Sequence, residues 1–555
     1  MAIAQFIQAA SPRKLWIMAI LTIIAGLANA ALVVMINSVA GLVAAGERPG
    51  PWIWAGFGFA FLIYYQCNTL ALLRANSLIE HLLNRLRLDV VDKLRQSELL
   101  VADRVGRGSL YAMVSHETNH LSVSFPLLVD AVQQMVLLVF SLIYLAYLSV
   151  AAFLVFLAAV GIGIIGYLAI NRRFRVTLNA LGQRQTRMLD AIDAIILGAK
   201  ELRLNSARGV AVEKAYRRLS RACQSLLVTS GEHWAEMILL SSFVTYLMLG
   251  AVAFAFPQMI DGHSLIVFQL VPVLLFCIGP LAKIVAQSPM FLRADVGLQG
   301  ILHVQRQLAQ AGSISPDEAR ALARPLAGFR TLGYHGLCFA HHDETGAESF
   351  QTGPLDLELT RGELVFIVGG NGSGKSTTLR VMCGLYPAKQ GLIRVDGDVV
   401  GGRALAGLRE LFAAIFVDFH LFDRLYGLED ADPAHVNRLI DTMGLAGKVR
   451  FEDGRFTRLH LSTGQRKRLA LIVALLEDRP IYLFDEWSAE QDIHFRKIFY
   501  ETILPDLRAK NKLVVAITHD ERYWHLADRV VKLDLGRIVW DRPGADWQHK
   551  DDKTP

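Results

Sequence analysis

Apolar and polar positions divide the chain into two halves with different rhythms. Up to about residue 309, long apolar runs alternate with charged stretches, and beyond it the apolar runs shorten to strand length. A membrane-spanning helix needs about 20 mostly apolar residues. Six runs reach that length, at about 15–36, 52–73, 126–148, 151–170, 234–256 and 265–284. The connections inside the first, second and third pair of runs are short and nearly free of basic residues. Those at 74–122 and 171–233 are long, helically periodic and rich in arginine (Arg85, Arg87, Arg95; Arg172, Arg173, Arg184). Positive charge stays on the cytoplasmic side, so both long connections are expected there as continuations of the spanning helices. An even number of spans leaves the second half in the cytoplasm as well. Arg13 and Lys14 precede a first apolar run that continues to about Val43 without a clear small-residue cleavage site, which predicts an uncleaved first span with the chain start inside.

Residues 310–328, with Gly312, Pro316, Pro325 and mixed charges, read as a linker between a membrane domain at 1–309 and an α/β domain at 329–555. Composition agrees with a membrane half: the chain is 53% hydrophobic with a mean hydropathy of +0.35. The net charge of +6 comes from 57 basic and 51 acidic residues. Because the arginines crowd beside the apolar runs, lipid and not nucleic acid is the expected partner of that charge. Five cysteines are scattered without metal-like spacing and are expected as free thiols.

The chemistry begins at Gly369. A buried strand over 364–368 runs into Gly369-Gly370-Asn371-Gly372-Ser373-Gly374-Lys375-Ser376, which fits the phosphate-loop pattern G-x-x-x-x-G-K-[ST] without a mismatch. Glycines let backbone N–H groups turn inward around phosphate oxygens. Lys375 is placed to reach the β- and γ-phosphates of ATP, Ser376 to ligate Mg²⁺, and the helix start to face the anion; Asn371 and Thr377 are counted with them as nucleotide contacts. A second apolar strand ends in Asp485-Glu486. Hydrolysis of ATP needs one carboxylate for the Mg²⁺ shell and another to deprotonate the attacking water, roles expected of Asp485 and Glu486 in that order. A third strand ends in Thr518-His519.

Long intracellular helix pairs that turn at Gly106-Arg107-Gly108-Ser109 and at Gly198, followed by an ATPase, resemble an ABC exporter, and Leu461-Ser462-Thr463-Gly464-Gln465 is similar to the ABC signature with Thr463 where glycine is commoner. The resemblance implies the fold class: a membrane α-helical bundle of six spans per chain, the type IV ABC exporter fold, followed by an α/β nucleotide-binding domain. It also implies that the two turns act as coupling helices. Ser462 and Gly464, with Gln465 beside them, would meet the γ-phosphate, His519 would steady the attacking water, and Asp492 would speak across a dimer. Signature and phosphate loop face each other between subunits in that family, so one of each implies a homodimer. Two positions depart from the pattern: Val417 stands where the Q-loop glutamine is usual, leaving Asp418 or His420 to replace its contact, and the adenine-stacking tyrosine aligns with His341. The run 484–492, with Trp487 after the glutamate, and 418–422 resemble the cyclic-peptide and siderophore export subfamily of pyoverdine, syringomycin and lasso-peptide exporters. That likeness implies export of a peptide or siderophore-like cargo across a bacterial inner membrane. A lipid flippase, a siderophore importer of exporter shape and a non-transporting regulatory ATPase stand as alternatives. Polar residues within the apolar runs (Asp130, Gln133, Gln134, Glu236 and Lys283) line the route, lie at the interface or pair with one another.

Overall fold

The computed structural model describes residues 6, 11–44, 46–101, 110, 118–251, 254, 264–309, 314–342 and 348–547. The chain forms two compact units, one of Met1–Ser97 with Val101–Ala311 and one of Glu98–Leu100 with Gly312–Pro555.

The first unit is helical: α1 (Pro12–Ala44), α2 (Pro51–Gln96), α3 (Thr118–Leu148), α4 (Val150–Leu197), α5 (Ala199–Leu204), α6 (Ser206–Gly250) and α7 (Ser264–Ala309). At 1.5 Å per residue the 46 residues of α2 span about 69 Å and the 48 of α4 about 72 Å, against about 30 Å of hydrocarbon. The spans therefore continue as helices into their charged stretches, as the arginine-rich periodicity predicts. Gly198 ends α4 as its C-cap, and Asn205 restarts the helix by accepting the backbone N–H of Arg208 at 3.0 Å, which leaves the short α5 between two caps. The other expected turn, 106–109, lies outside the described residues.

Helix pairing follows small and apolar positions. Ala71, Ala75, Ile79 and Leu83 of α2 pack with Leu121, Phe125 and Val129 of α3 and with Ala294, Leu298 and Ile301 of α7. A Cβ on Gly26 would meet Val136 Cγ1 at 2.7 Å, so glycine is what lets α1 approach α3. Among the described residues five helices are long and apolar enough to cross a membrane: α1, α2, α3, α4 and α7. The expected span at 234–256 falls in α6, whose described part ends at Gly250 and includes Glu236 and His233, so its apolar stretch runs out of the described residues before reaching spanning length. All five cysteines are free thiols.

The second unit is α/β. Its main sheet has the order β12-β11-β3-β10-β9-β6, with β3 (Leu364–Val368), β6 (Phe412–Ile415), β9 (Ile481–Asp485), β10 (Leu513–Ile517), β11 (Arg529–Asp534) and β12 (Arg537–Pro543). Neighbours from β11 through β6 are parallel, and only β12 is antiparallel. Each residue of β3, β9 and β10 is buried, as the unbroken apolar runs predict for strands covered on both faces. A second, antiparallel sheet has the order β2-β1-β4-β5, built from β1 (Thr331–His342), β2 (Glu348–Thr360), β4 (Gln390–Val395) and β5 (Asp398–Val400), and β7 (Phe451–Glu452) pairs with β8 (Arg455–Phe456) as a short hairpin. The stretch read as a linker carries a helix, α8 (Pro316–Ala323), capped by Ser315 and packed against Ala404–Arg409 with Arg403 ion-paired to Glu318 at 3.0 Å.

Candidate functional site

Parallel pairing brings the predicted chemistry to one edge. β10 lies between β3 and β9, and Ile517 stands opposite both Ile367 and Asp485, so the three strands end level. The glycine loop after β3, Glu486 after β9 and His519 just beyond β10 therefore converge at the carboxyl end of the sheet, where open α/β sheets bind ligands.

The loop depends on its glycines. Gly369, Gly372 and Gly374 have φ of +151°, +80° and +92°. A Cβ on Gly369 would sit 2.2 Å from the Leu533 carbonyl oxygen, and one on Gly374 would sit 2.9 Å from the Phe350 ring. Helix α9 (Lys375–Met382) starts directly after Gly374, with Ser376 and Thr377 in its first turn, while Asn371 is exposed in the loop. Buried Lys375 donates from Nζ to the carbonyls of Gly369 (3.1 Å) and Gly370 (2.9 Å). Burial lowers its pKa, against the pull of the Glu486 and Asp485 carboxylates.

Ser376 Oγ donates to Asp485 Oδ1 at 3.0 Å. Asp485 is 1% exposed and its other oxygen, Oδ2, has no partner. Burial is the main reason its pKa is raised; the Ser376 hydroxyl opposes this and the neighbouring Glu486 adds to it. A hydroxyl beside a desolvated carboxylate with an unused oxygen fits a divalent cation bound together with a phosphate. Glu486 Oε1 and His519 Nε2 lie 3.1 Å apart. Behind the histidine, the Thr518 hydroxyl is within 2.5 Å of Tyr500, whose hydroxyl reaches Ser488 at 2.7 Å, so the strand end carrying His519 is tied to the segment after Glu486.

After α10 (Ala404–Arg409) and α11 (Pro433–Thr442), the signature pentad opens α12 (Thr463–Glu477), with Ser462 as N-cap. Ser462 and Gln465 form a reciprocal capping box, Gln465 N–H to Ser462 Oγ at 3.4 Å and Ser462 N–H to Gln465 Oε1 at 3.2 Å. The first-turn N–H groups of Thr463 and Gly464 have no intrahelical acceptor and remain suited to an anion. Gly464 is required sterically, since a Cβ there would lie 2.6 Å from the Glu490 carbonyl oxygen. Among the described residues no hydrogen bond joins the pentad to the glycine loop of the same chain. Asp492 is an N-cap, accepting from Phe495 N–H at 3.0 Å.

The residues expected to stand in for the Q-loop glutamine and the adenine-stacking tyrosine make the following contacts in the structure. Asp418 forms a 2.8 Å ion pair with Arg380, and His420 packs edge-on against Phe422 with ring centroids 4.8 Å apart; neither is bonded to Ser376 or Asp485. His341 packs edge-on against Phe339 and Tyr386, at 4.8 and 5.6 Å between ring centroids, and its pKa is lowered first by burial and then by Arg380. The ring lying against the glycine loop is that of Phe350, the cross-strand partner of His341.

A family model described as ABC transporter matches residues 352–489, from within β2 through the segment after Glu486. The ATP-binding protein SyrD of Pseudomonas syringae pv. syringae is 31% identical over 482 residues, covering 83% of this chain and 83% of its own. The chain belongs to the ABC exporter family. An ATP-dependent lipid A-core flippase of Vibrio parahaemolyticus serotype O3:K6 (strain RIMD 2210633) is 23% identical over 459 residues, 79% of this chain and 76% of its own. A bacterial Atm1-family ABC exporter solved with ATP bound shares the fold, with a TM-score of 0.78 at 20% identity over 96% of this chain and 95% of its own. The exporter binds ATP and couples its hydrolysis to transport across the bacterial inner membrane, with the ATPase domain in the cytoplasm.

In the exporter's membrane unit the polar residues mostly find one another. Asp130 accepts from Lys283 (2.9 Å), Gln287 (2.6 Å) and Gln134 (3.3 Å), joining α3 to α7, and Glu236 faces His233 at 3.4 Å. Gln133 is buried with an unpartnered Nε2. A polar group that sequence reasoning missed lies between α1 and α3. Asn37, fully buried, donates to Tyr144 Oη at 2.9 Å, and neither its Oδ1 nor Ser141 Oγ has a partner. Ser141 and Tyr144 line an otherwise apolar crevice of about 530 Å³ among α1, α3 and α7. The signal available in the sequence was Asn37 itself, an amide in the middle of an apolar run.

Proposed function

We propose that this exporter carries a peptide natural product, a cyclic or lasso peptide, lipopeptide or siderophore precursor, and works as a homodimer. The observation that carries the cargo reading is the likeness to SyrD through both units at 31% identity, above the 23% and 25% of flippase relatives matched over 79% of this chain. The crevice supports it in kind: apolar walls carrying a few hydroxyl-bearing side chains suit an amphiphilic molecule. Lipid transport is the second reading, favoured by the flippase similarity. ATP hydrolysis measured in reconstituted vesicles with candidate lipopeptides or with lipid A-type lipids separates them. Stimulation by lipid alone overturns the peptide reading.

Within each ATPase domain, Gly369, Asn371, Gly372, Gly374, Lys375 and Thr377 hold the triphosphate and His341 packs on the adenine. Mg²⁺, when bound, neutralises charge on the β- and γ-phosphates, with Ser376 and Asp485 as its protein ligands. The unpartnered Asp485 Oδ2 supports this assignment, and among the described residues no cluster of three or more His, Cys, Asp or Glu offers a self-sufficient metal site. Glu486 accepts the proton of the attacking water, and His519, 3.1 Å away, orients that carboxylate and the γ-phosphate. The N-terminus of α12 from a second copy closes the clamp, since among the described residues no hydrogen bond joins that helix start to the glycine loop of its own chain. ATP then binds most tightly to the closed dimer, and hydrolysis releases it.

A further inference from the structure

The signature helix and the glutamate proposed as base are joined within one chain by a side chain that belongs to neither role. Lys467 lies in the second turn of α12, is 2% exposed, and donates from Nζ to the backbone carbonyl of Glu486 at 2.9 Å. Its second partner is the Glu490 carboxylate at 3.4 Å. In return the Lys467 carbonyl accepts the indole N–H of Trp487 at 2.9 Å, and that buried indole stacks on Phe499 with centroids 4.4 Å apart. Gln491 adds a further tie, donating to the Gly464 carbonyl at 3.1 Å.

Between these anchors Glu486 adopts φ +48° and ψ +38°. The left-handed region is unfavourable for a residue with a Cβ and persists where the surroundings hold it. A buried ammonium is itself costly unless well paired. Two unfavourable features thus meet at one bond, and the bond offsets both. The direction of the Glu486 side chain follows from that backbone conformation, and so does its 3.1 Å approach to His519.

We infer that Lys467 is a positioning residue for hydrolysis: by holding the Glu486 carbonyl it fixes the left-handed backbone that aims the carboxylate, and it ties that aim to the start of the signature helix. The inference rests on the reading of Glu486 as base. In the dimer the signature helix serves the nucleotide of the other copy, so the bond links closure around one ATP to alignment of the base at its own.

The test uses the purified full-length exporter, with steady-state ATP hydrolysis read beside binding of a fluorescent ATP analogue. Lys467→Met lowers kcat about tenfold while nucleotide Kd stays within about twofold, and Lys467→Arg, which keeps a charged donor, recovers kcat to within about threefold of wild type. Glu490→Gln removes the ion pair but spares the carbonyl bond and stays within about twofold of wild type. Combined with Glu486→Gln, Lys467→Met has no further effect on residual hydrolysis, as two residues acting through one group require. Wild-type kcat in Lys467→Met, a parallel loss of nucleotide binding, or a folded Lys467→Arg as slow as Lys467→Met each overturns the inference. If Lys467→Met does not fold, Lys467→Gln, which retains a neutral donor, takes its place, with an intermediate kcat expected and wild-type kcat again overturning. Near-normal hydrolysis in Glu486→Gln alone is a separate result, and it would remove the base assignment.

Discussion

The two units treat buried polar groups in opposite ways. In the ATPase unit the groups at the strand ends are left incomplete: Asp485 Oδ2 and Ser373 Oγ are buried without partners beside a loop full of positive-φ glycines. In the membrane unit Asp130 is satisfied by three donors, and the loose ends among the described residues are neutral: Asn37, Gln133, Ser141, Asn171 and Gln287. Buried polar atoms left unpaired beside that loop suit one defined ligand class, a nucleotide phosphate. Incomplete neutral groups in an apolar wall accept many molecules at modest gain. One unit is built for a fixed fuel and the other for a cargo chosen by shape.

The sharpest way to break this contrast is at the base. Glu486→Gln should lower ATP turnover at least about a hundredfold with nucleotide affinity retained, measured by phosphate release and equilibrium binding. Breaking the charge pair in the other unit should act on stability and not on chemistry. Asp130→Leu leaves Lys283, whose side chain is half exposed, without its partner and should destabilise by about 1–3 kcal/mol; pairing it with Lys283→Met should recover most of that in a thermal melt. Asp485→Asn tests the claim of designed incompleteness. Because the carboxyl pKa is raised in the folded state, the nucleotide-free protein binds more protons than the unfolded chain and loses stability as pH climbs from the ordinary carboxylate range through the raised value. The amide variant should therefore melt higher than wild type at neutral pH by an amount on the order of 1 kcal/mol, lose that advantage near pH 4, and show no Mg²⁺-dependent stabilisation by ATP. The smallest effect is expected at Asn205→Ala, which removes the cap of α6 for about 1 kcal/mol, read as a shift in melting with hydrolysis unchanged.

Legibility in the sequence divides along the same line. The glycine loop, Asp485-Glu486 and Thr518-His519 each come directly after an apolar run, and parallel strands bring run ends together without further information. The pattern that announced them also placed them on one edge. The long helices were readable from periodicity and arginines. The partner of Asn37, by contrast, lies 107 positions away, and that of Asp130 is 153 positions away; nothing in a helical pattern specifies which faces will meet. Lys467 is not legible in the sequence, because a basic residue in the first turns of a helix ordinarily reads as solvated and only the tertiary approach of Glu486 buries it. The stretch at 310–328 looked like a linker because Pro316 and Pro325 read as breakers, yet Pro316 opens α8 in the first-turn position where proline fits.

The unbroken length of α4 has a mechanical meaning. With no proline in 48 residues, a rod of about 72 Å resists bending, so a pivot of about 3° near one end sweeps the other through about 4 Å. Small rearrangements at a cytoplasmic tip are then amplified by geometry alone into displacements as wide as a side chain at the far side of the bilayer.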